Sequence, residues 1–442
     1  MEMTRPIGLT EAYSKYCHDH AGGATILAGI MKLTGTLNGR IIQKALERLC
    51  LEQPLLRADF IESEKGHDTL RVNQFSNKLP LVVLKRDDSK QGADILEKQM
   101  VQRFDYKKDQ RLWRVICLLG DDSQTAVHEI IVVFHHSISD GLSLSQFCKK
   151  FLEYSSLILN KKDFHVCEFD FPAPVETMLT RNSSWPGFLW RNISGSLQYL
   201  RPGNRLNTYE VHSSFEARKP GNLYFEINGD KVDRLVAKCR EQKTTMTGFL
   251  SAALMKAVFI VMYKGTGVKK NRQINCTPVS LRNFCNPVVD KESIGCFVNF
   301  LQTSYIIAED TDIWPLARLF TRKINRAIDK NKNLPPREYS KFFFEKLLGT
   351  LDTGMLKNVF PYGVGVTNIG RLDFDLNIGD YQIESFHFGT ARQLGDWLVL
   401  LHTSTICSKL FLNFCYCDPL VSREKICRIA ETTLSIIEAE AV

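Results

Sequence analysis

The chain has 442 residues, too many for one ordinary core and enough for two domains of roughly 200 residues each. Hydrophobic residues make up 44% and charged residues 24%, ordinary for a soluble globular protein with ample core. The net charge of +8 is dispersed, and short clusters such as Lys149–Lys150, Lys161–Lys162 and Lys269–Lys270 lack the interleaved aromatics or glycines of nucleic-acid modules, so no nucleic-acid partner is expected.

The first half alternates strand and helix signals. Residues 24–37 read as a β segment ending in the turn Leu37-Asn38-Gly39. Residues 40–52 follow as a helix with Ile42, Ala45, Leu46 and Leu49 on one face. Pro54 blocks further helix, and 55–61 return to extended chain. Residues 69–72 and 79–84 read as short strands, 94–104 as a helix and 112–118 as another strand. Residues 128–135, HEIIVVFH, form a near-continuous β-branched run, the pattern of a central strand buried on both faces. Residues 142–157 then carry Leu144, Phe147, Phe151 and Leu152 at helical spacing.

Between 164 and 214 the pattern dissolves among Pro172, Pro174, Pro186 and Pro202, with Trp185 and Trp190 between polar residues. This reads as an ordered crossover, because its aromatics favour burial. The second half repeats the same grammar. Strands are expected at 223–227, 272–279, 295–307, 362–368, 381–388, 397–401 and 409–416, and helices at 230–241, 247–262, 312–331, 339–348 and 422–439. The division expected is therefore an N-terminal lobe over 1–175, a crossover over 176–215 and a C-terminal lobe over 216–442. The apolar run at 246–263 carries Lys256 together with Gly248, Ser251 and several alanines, so it reads as a core helix and no integral membrane segment is expected. No secretory signal is recognisable, and thirteen scattered cysteines without CxxC pairs read as reduced thiols, which points to the cytoplasm.

The most informative stretch is residues 135–141, HHSISDG, directly after IIVVF. Three chemistries compete for it. A histidine titrates near neutral pH and can take a proton from an alcohol or amine, then return it. Successive strand residues point to opposite faces, so only one of His135 and His136 can face a given site. For the same reason adjacent histidines are poorly placed to share a metal, and without an HExxH run or a further Cys/His cluster no metal is expected. A purely structural strand end, turn and helix start explains Ser139, Asp140 and Gly141, but not two histidines.

HHxxxDG after an apolar strand resembles the signature of the chloramphenicol acetyltransferase-like, coenzyme A-dependent acyltransferase superfamily. That group includes condensation domains of nonribosomal peptide synthetases, polyketide-associated acyltransferases, alcohol acetyltransferases and the plant BAHD enzymes. Residues 33–60, LTGTLNGRIIQKALERLCLEQPLLRADF, are similar to the family's opening strand, helix and turn. TPVSLRN at 277–283 and IGCFVNFL at 294–301 resemble the segment that carries an arginine and then an IGxFVN strand. VGVTNIGRLDF at 364–374 resembles the stretch near the active-site channel. The DFGWG stretch of the plant enzymes is absent.

The resemblance implies an α/β fold of two similar lobes, each a mixed β-sheet with flanking helices, and an active-site channel between them. It implies that His136 is the general base and that His135 is a packed strand-end residue. Asp140 would be structural, pairing with an arginine of the other lobe, for which the matching residue is Arg282. Gly141 suits a tight turn, and Thr367 and Asn368 could donate hydrogen bonds to an oxyanion or acceptor. Ser139 could polarise a thioester or cap the following helix. His128 reads as surface or core, and Cys276 and Cys285, near Arg282, have no support as nucleophiles. The activity implied is acyl transfer from acyl-coenzyme A to a small alcohol, with no tightly bound cofactor. With no recognisable carrier, adenylation or membrane-anchoring segment, a free-standing enzyme is expected. The alternatives are N-acylation of an amine, condensation with an acyl carrier protein as thioester donor and partner, and a non-catalytic binding protein of the same fold.

Overall fold

The protein is described from a computed structural model covering residues 3–63, 66–108, 111–121, 125–190, 207–329, 334–342, 344–346 and 358–441. The chain forms two compact units. Unit one comprises residues 1–180, 281–297 and 371–391, and unit two comprises 181–280, 298–370 and 392–442. Unit one thus takes in two segments, 281–297 and 371–391, from within the stretch expected to form the C-terminal lobe. Strands and helices are numbered below in chain order.

In unit one the helix α2 (Gly39–Glu52) begins where Asn38 accepts a hydrogen bond from the Ile41 N–H at 3.0 Å, and it stops before Pro54. Its buried face carries Ile41, Ile42, Ala45, Leu46 and Leu49, as the 3.6-residue period predicts. The main sheet runs β14 (Asn377–Ile378), β15 (Tyr381–Thr390), β2 (Leu27–Thr34), β7 (Val127–Phe134), β6 (Trp113–Leu119), β5 (Leu81–Lys85). Strand β7 lies in its interior, in register with β2 from Leu27 opposite Phe134 to Thr34 opposite Val127, and with β6 from Trp113 opposite Phe134. All pairs are antiparallel except β5 with β6, so the sheet is mixed. The helices α2, α3 (Gln91–Val101) and α4 (Gly141–Leu159) flank it. Helix α4 approaches β2 closely because position 29 is glycine: a Cβ there would lie 2.7 Å from Leu144 Cδ2. A smaller sheet orders β1 (Met3–Pro6), β4 (Thr69–Val72) and β3 (Ala58–Ile61). Residues 54–57 form a turn of 3-10 helix before β3, although extended chain is expected from 55 onward.

The short helix Val175–Met178, the helical residues 185–190 and a longer helix near the N-terminus have no counterpart among the expected elements. Helix α1 (Leu9–His20) buries Glu11, Ser14, Lys15 and His18 alongside Leu9, Ala12 and Cys17. Hydrophobic periodicity detects apolar faces, and this buried face is largely polar.

In unit two the main sheet runs β11 (Val298–Ala308), β10 (Lys270–Ser280), β13 (Tyr362–Arg371), β16 (Trp397–Ile406), β17 (Lys409–Asp418), β9 (Lys219–Asn228). It too is mixed: β10 pairs antiparallel with β11 and parallel with β13. A two-stranded ribbon joins β8 (Asn207–Thr208) to β12 (Val359–Phe360). The helices are α5 (Asp230–Glu241), α6 (Met246–Tyr263), α7 (Ile313–Asp329) and α8 (Arg423–Glu440). Among the described residues α6 is the one helix long and apolar enough to cross a membrane, and most of it is buried in the core of unit two against α7 and α8. Its Lys256 reaches out to the Thr311 carbonyl at 2.8 Å. Of the helix expected at 339–348, residues 341–342 and 344–346 are helical, and 343, 347 and 348 lie outside the described residues, as does 191–206 of the crossover.

Candidate active site

Strand β7 ends at Phe134, and its path continues through the His135 N–H, which donates to the Leu112 carbonyl at 2.8 Å. The chain then turns, with the Ile138 N–H on the His135 carbonyl at 3.1 Å, and enters α4. Asp140 is the N-cap of that helix: its Oδ1 accepts from the Ser143 N–H and from the Ser143 hydroxyl, both at 2.8 Å. The capping role expected for Ser139 therefore falls to its neighbour. Ser139 is buried, with its hydroxyl 3.3 Å from the Asp140 carbonyl. Gly141 is the first residue of α4, so the tight turn expected there is a helix start.

Arg282 and Asp140 meet inside unit one, where Arg282 was expected from the second lobe. Its Nη2 donates to Asp140 Oδ1 at 3.1 Å and to Ser143 Oγ at 2.8 Å, and its Nη1 donates to the Asp290 and Ser293 carbonyls at 3.0 and 2.9 Å. The guanidinium lies over the Phe297 ring, 4.5 Å from its centroid. The Phe297 N–H donates to Asp140 Oδ2 at 3.1 Å, the Gly295 N–H donates to Ser143 Oγ, and the Gly295 carbonyl shares the single Ser143 hydroxyl hydrogen with Asp140 Oδ1. Burial pushes the Asp140 carboxyl up, but Arg282 and these donors outweigh it and hold the group below the ordinary carboxylate value. Glycine at 295 leaves room for the Phe297 ring, since a Cβ would fall 2.3 Å from it and the ring would have to shift. Gly295 and Phe297 belong to the IGCFVNFL stretch but have no individual role in the sequence, and Ser143 is not singled out there. Ser143 stands three residues after Asp140, the spacing of an N-cap and its third helical residue, so a capping search would have found it.

The two histidines differ in surroundings. His135 is fully buried, with its ring edge-on to Phe60, Phe104 and Tyr106 and tilted against His18. Its Nδ1 accepts from the Ser137 N–H at 3.2 Å, and Nε2 lies 3.2 Å from Tyr106 Oη. Burial, then the nearby His18, hold its imidazole well below the ordinary value, so it stays neutral. Beyond it, Tyr106 Oη donates to Asp19 Oδ1 at 2.6 Å, and Lys15 Nζ donates to Asp19 Oδ2 at 2.7 Å. The Ser137 hydroxyl donates to the Glu11 carbonyl at 2.7 Å, which ties the turn to α1. His136 is only half-buried, and its Nδ1 lies 3.8 Å from Cys296 Sγ.

Of the remaining candidates, His128 and Cys285 share unit one with this cluster, while Cys276, Thr367 and Asn368 belong to unit two. Thr367 and Asn368 lie on β13 in unit two. There Asn368 Nδ2 donates to Thr247 Oγ1 at 3.1 Å, and Oδ1 accepts from the N–H of Gly370, whose φ is +81°. His128 is core, with Nε2 2.8 Å from the Gly35 carbonyl. Burial pushes the Cys285 thiol up to about 11 and Cys276 well above the usual range. None of the thirteen cysteines forms a disulfide, and among the described residues no group of three or more His, Cys, Asp or Glu could hold a metal ion.

The profile of the family described as alcohol acetyltransferase matches residues 81–434. The chain belongs to the alcohol acetyltransferase family. The matched stretch contains His136, Asp140 and Arg282 as well as Thr367 and Asn368. The probable alcohol acetyltransferase FCK4 of Fusarium pseudograminearum is 23% identical over 394 residues, covering 78% of this chain and 75% of that protein. Nonribosomal peptide synthetase kk1B of Curvularia clavata and bacitracin synthase 3 of Bacillus licheniformis are each 25% identical, over 65% and 92% of this chain. The chain spans only 2% and 6% of those two synthetases. Among solved structures, TRI3 trichothecene 15-O-acetyltransferase from Fusarium sporotrichioides has a TM-score of 0.78 at 12% identity, covering 99% of this chain and 95% of that one. The starter condensation domain of rhizomide synthetase RzmA, solved with C8-CoA, has a TM-score of 0.68 at 13% identity, covering 99% and 95%. The chain thus shares its fold with both an acetyltransferase and a condensation domain.

Proposed function

We propose that the protein transfers an acyl group from acyl-coenzyme A to the hydroxyl of a small alcohol, with His136 as general base. The observation that carries this reading is the clamp of Arg282, Ser143 and the Phe297 N–H on Asp140, which holds the turn between β7 and α4 and leaves His136 half-buried while its neighbour is sealed in the core. Membership of the alcohol acetyltransferase family supports the alcohol acceptor, and the C8-CoA in the rhizomide synthetase domain supports a coenzyme A thioester as donor.

In the reaction His136 takes the hydroxyl proton as the alcohol oxygen attacks the thioester carbonyl. The tetrahedral intermediate collapses, the C–S bond breaks, and the proton on His136 goes to the departing coenzyme A sulfur. Thr367 and Asn368 are assigned to hydrogen bonding with the oxyanion or acceptor, and Asp140, Arg282, Gly141 and His135 to support of the base.

The test incubates the protein with a panel of acyl-coenzyme A donors and small alcohols and amines, with coenzyme A and acylated products measured by mass spectrometry. Ester formation should fall by roughly 10²-fold or more in His136→Ala while folding is retained. Product from amines alone would reassign the acceptor. No release from any donor, with turnover of an acylated carrier protein instead, would reassign the donor.

A further inference from the structure

Cys296 is buried and its sulfur faces His136 Nδ1 at 3.8 Å, within reach of a hydrogen bond to sulfur. The backbone on either side of it is held by the same groups that hold the histidine turn. On one side Gly295 bonds Ser143 Oγ, its N–H donating at 3.1 Å and its carbonyl accepting at 2.9 Å. On the other the Phe297 N–H donates to Asp140 Oδ2 at 3.1 Å, and the Phe297 carbonyl accepts from the Leu281 N–H at 2.7 Å. One carboxylate thus clamps two chain segments. Through the helix cap it fixes the turn that carries His136, and through Phe297 it fixes the strand entry that carries Cys296. Asp140 therefore ties the segment that carries the imidazole to the segment that carries the thiol.

We infer that Cys296 is a positioning residue: its sulfur accepts the Nδ1–H of His136, which keeps the ring in one orientation and tautomer and assigns proton transfer to Nε2. The inference rests on His136 being the base. A histidine with a proton on Nδ1 presents a lone pair only at Nε2, and which nitrogen is bare is set by the partner of the other. A thiol is a weak acceptor, but at a buried position it needs only to outcompete the flipped ring. During transfer the alcohol proton enters at Nε2, the other proton stays on Nδ1 and keeps its hydrogen bond to sulfur, and the transferred proton leaves from Nε2 to the coenzyme A thiolate. The thiol itself is not consumed.

The test compares Cys296→Val, which removes the acceptor and adds one carbon, with Cys296→Ser, which keeps an acceptor on a shorter bond. The wild-type protein labelled with 15N-histidine should show His136 with a protonated Nδ1 and a bare Nε2, its signals assigned by their loss in His136→Ala. In Cys296→Val the tautomers should mix, and kcat should fall about 10-fold with KM for acyl-coenzyme A changed by less than about twofold. Cys296→Ser should recover most of both. An unchanged tautomer in Cys296→Val overturns the inference whatever happens to kcat. So does an acyl adduct on Cys296 after incubation with acyl-coenzyme A alone, since the thiol would then be a nucleophile. The nuclear magnetic resonance readout needs no turnover, so failure of the acyl-transfer reading would appear separately, as a His136→Ala protein no less active than wild type.

Discussion

Two buried Arg–Asp pairs, one in each unit, have opposite effects on their carboxylates. In unit one Asp140 is 5% exposed and is held below the ordinary carboxylate value. In unit two Asp396 is 8% exposed and pushed above it, although Arg392 Nη1 lies 3.4 Å from both its oxygens. Burial raises both groups, and both have a guanidinium beside them. The difference is in the other donors. Asp140 caps a helix and collects the Ser143 N–H, the Ser143 hydroxyl and the Phe297 N–H besides Arg282. At Asp396 the attraction of Arg392 and the nearby Asp396 and Trp397 amides fall short of the cost of burial. A partner charge does not by itself offset the cost of burying a carboxylate; several donors aimed by the backbone do.

The largest effect on stability should come from Arg282→Met. It strands a charge among donors built to hold it, and chemical denaturation near neutral pH should show a loss of about 3–5 kcal/mol. A loss too small to measure would mean that the N–H donors hold Asp140 without the arginine. Asp140→Asn keeps an acceptor for the Ser143 N–H but removes the charge, so it should cost somewhat less, about 2–3 kcal/mol. It should also change the acid limb of stability. The folded-state value of Asp140 lies below 3.8, so its contribution is complete above that pH and is lost as pH falls through the folded value. In Asp140→Asn that part of the loss should vanish, and an unaltered acid limb would contradict the clamp. Asp396→Asn should change least, by about 1 kcal/mol at neutral pH. Its sign with pH is reversed. A carboxyl raised by folding imposes no cost below the unfolded value and an increasing one as pH rises through the folded value, so the variant should compare best with the wild-type protein at neutral pH and worse in acid.

Most strands and helices were legible from the chain, because their faces are apolar. The helix expected at 230–241 has those bounds, and the run 128–135 is the buried interior strand Val127–Phe134. Helix α1 was not legible, because Glu11, Lys15 and His18 occupy its buried face and find partners in distant segments such as Glu62 and Phe104. In the site, HHSISDG and Arg282 stood out from local pattern and resemblance. Cys296 did not, since nothing in IGCFVNF says that the thiol turns toward a residue 160 positions away.

The sequence by itself determined the alternation of strands and helices, the buried character of β7 and the placement of a helix start after Asp140, because these depend on side chains close in the chain. Tertiary structure alone decided that residues 281–297 and 371–391 join the first unit, that Asp140 and Arg282 share it, and that Cys296 faces His136. Such pairings depend on which strand edges and cap oxygens remain to be satisfied once the sheet has formed, and a hydrogen bond across more than 140 residues leaves no periodic trace in the chain.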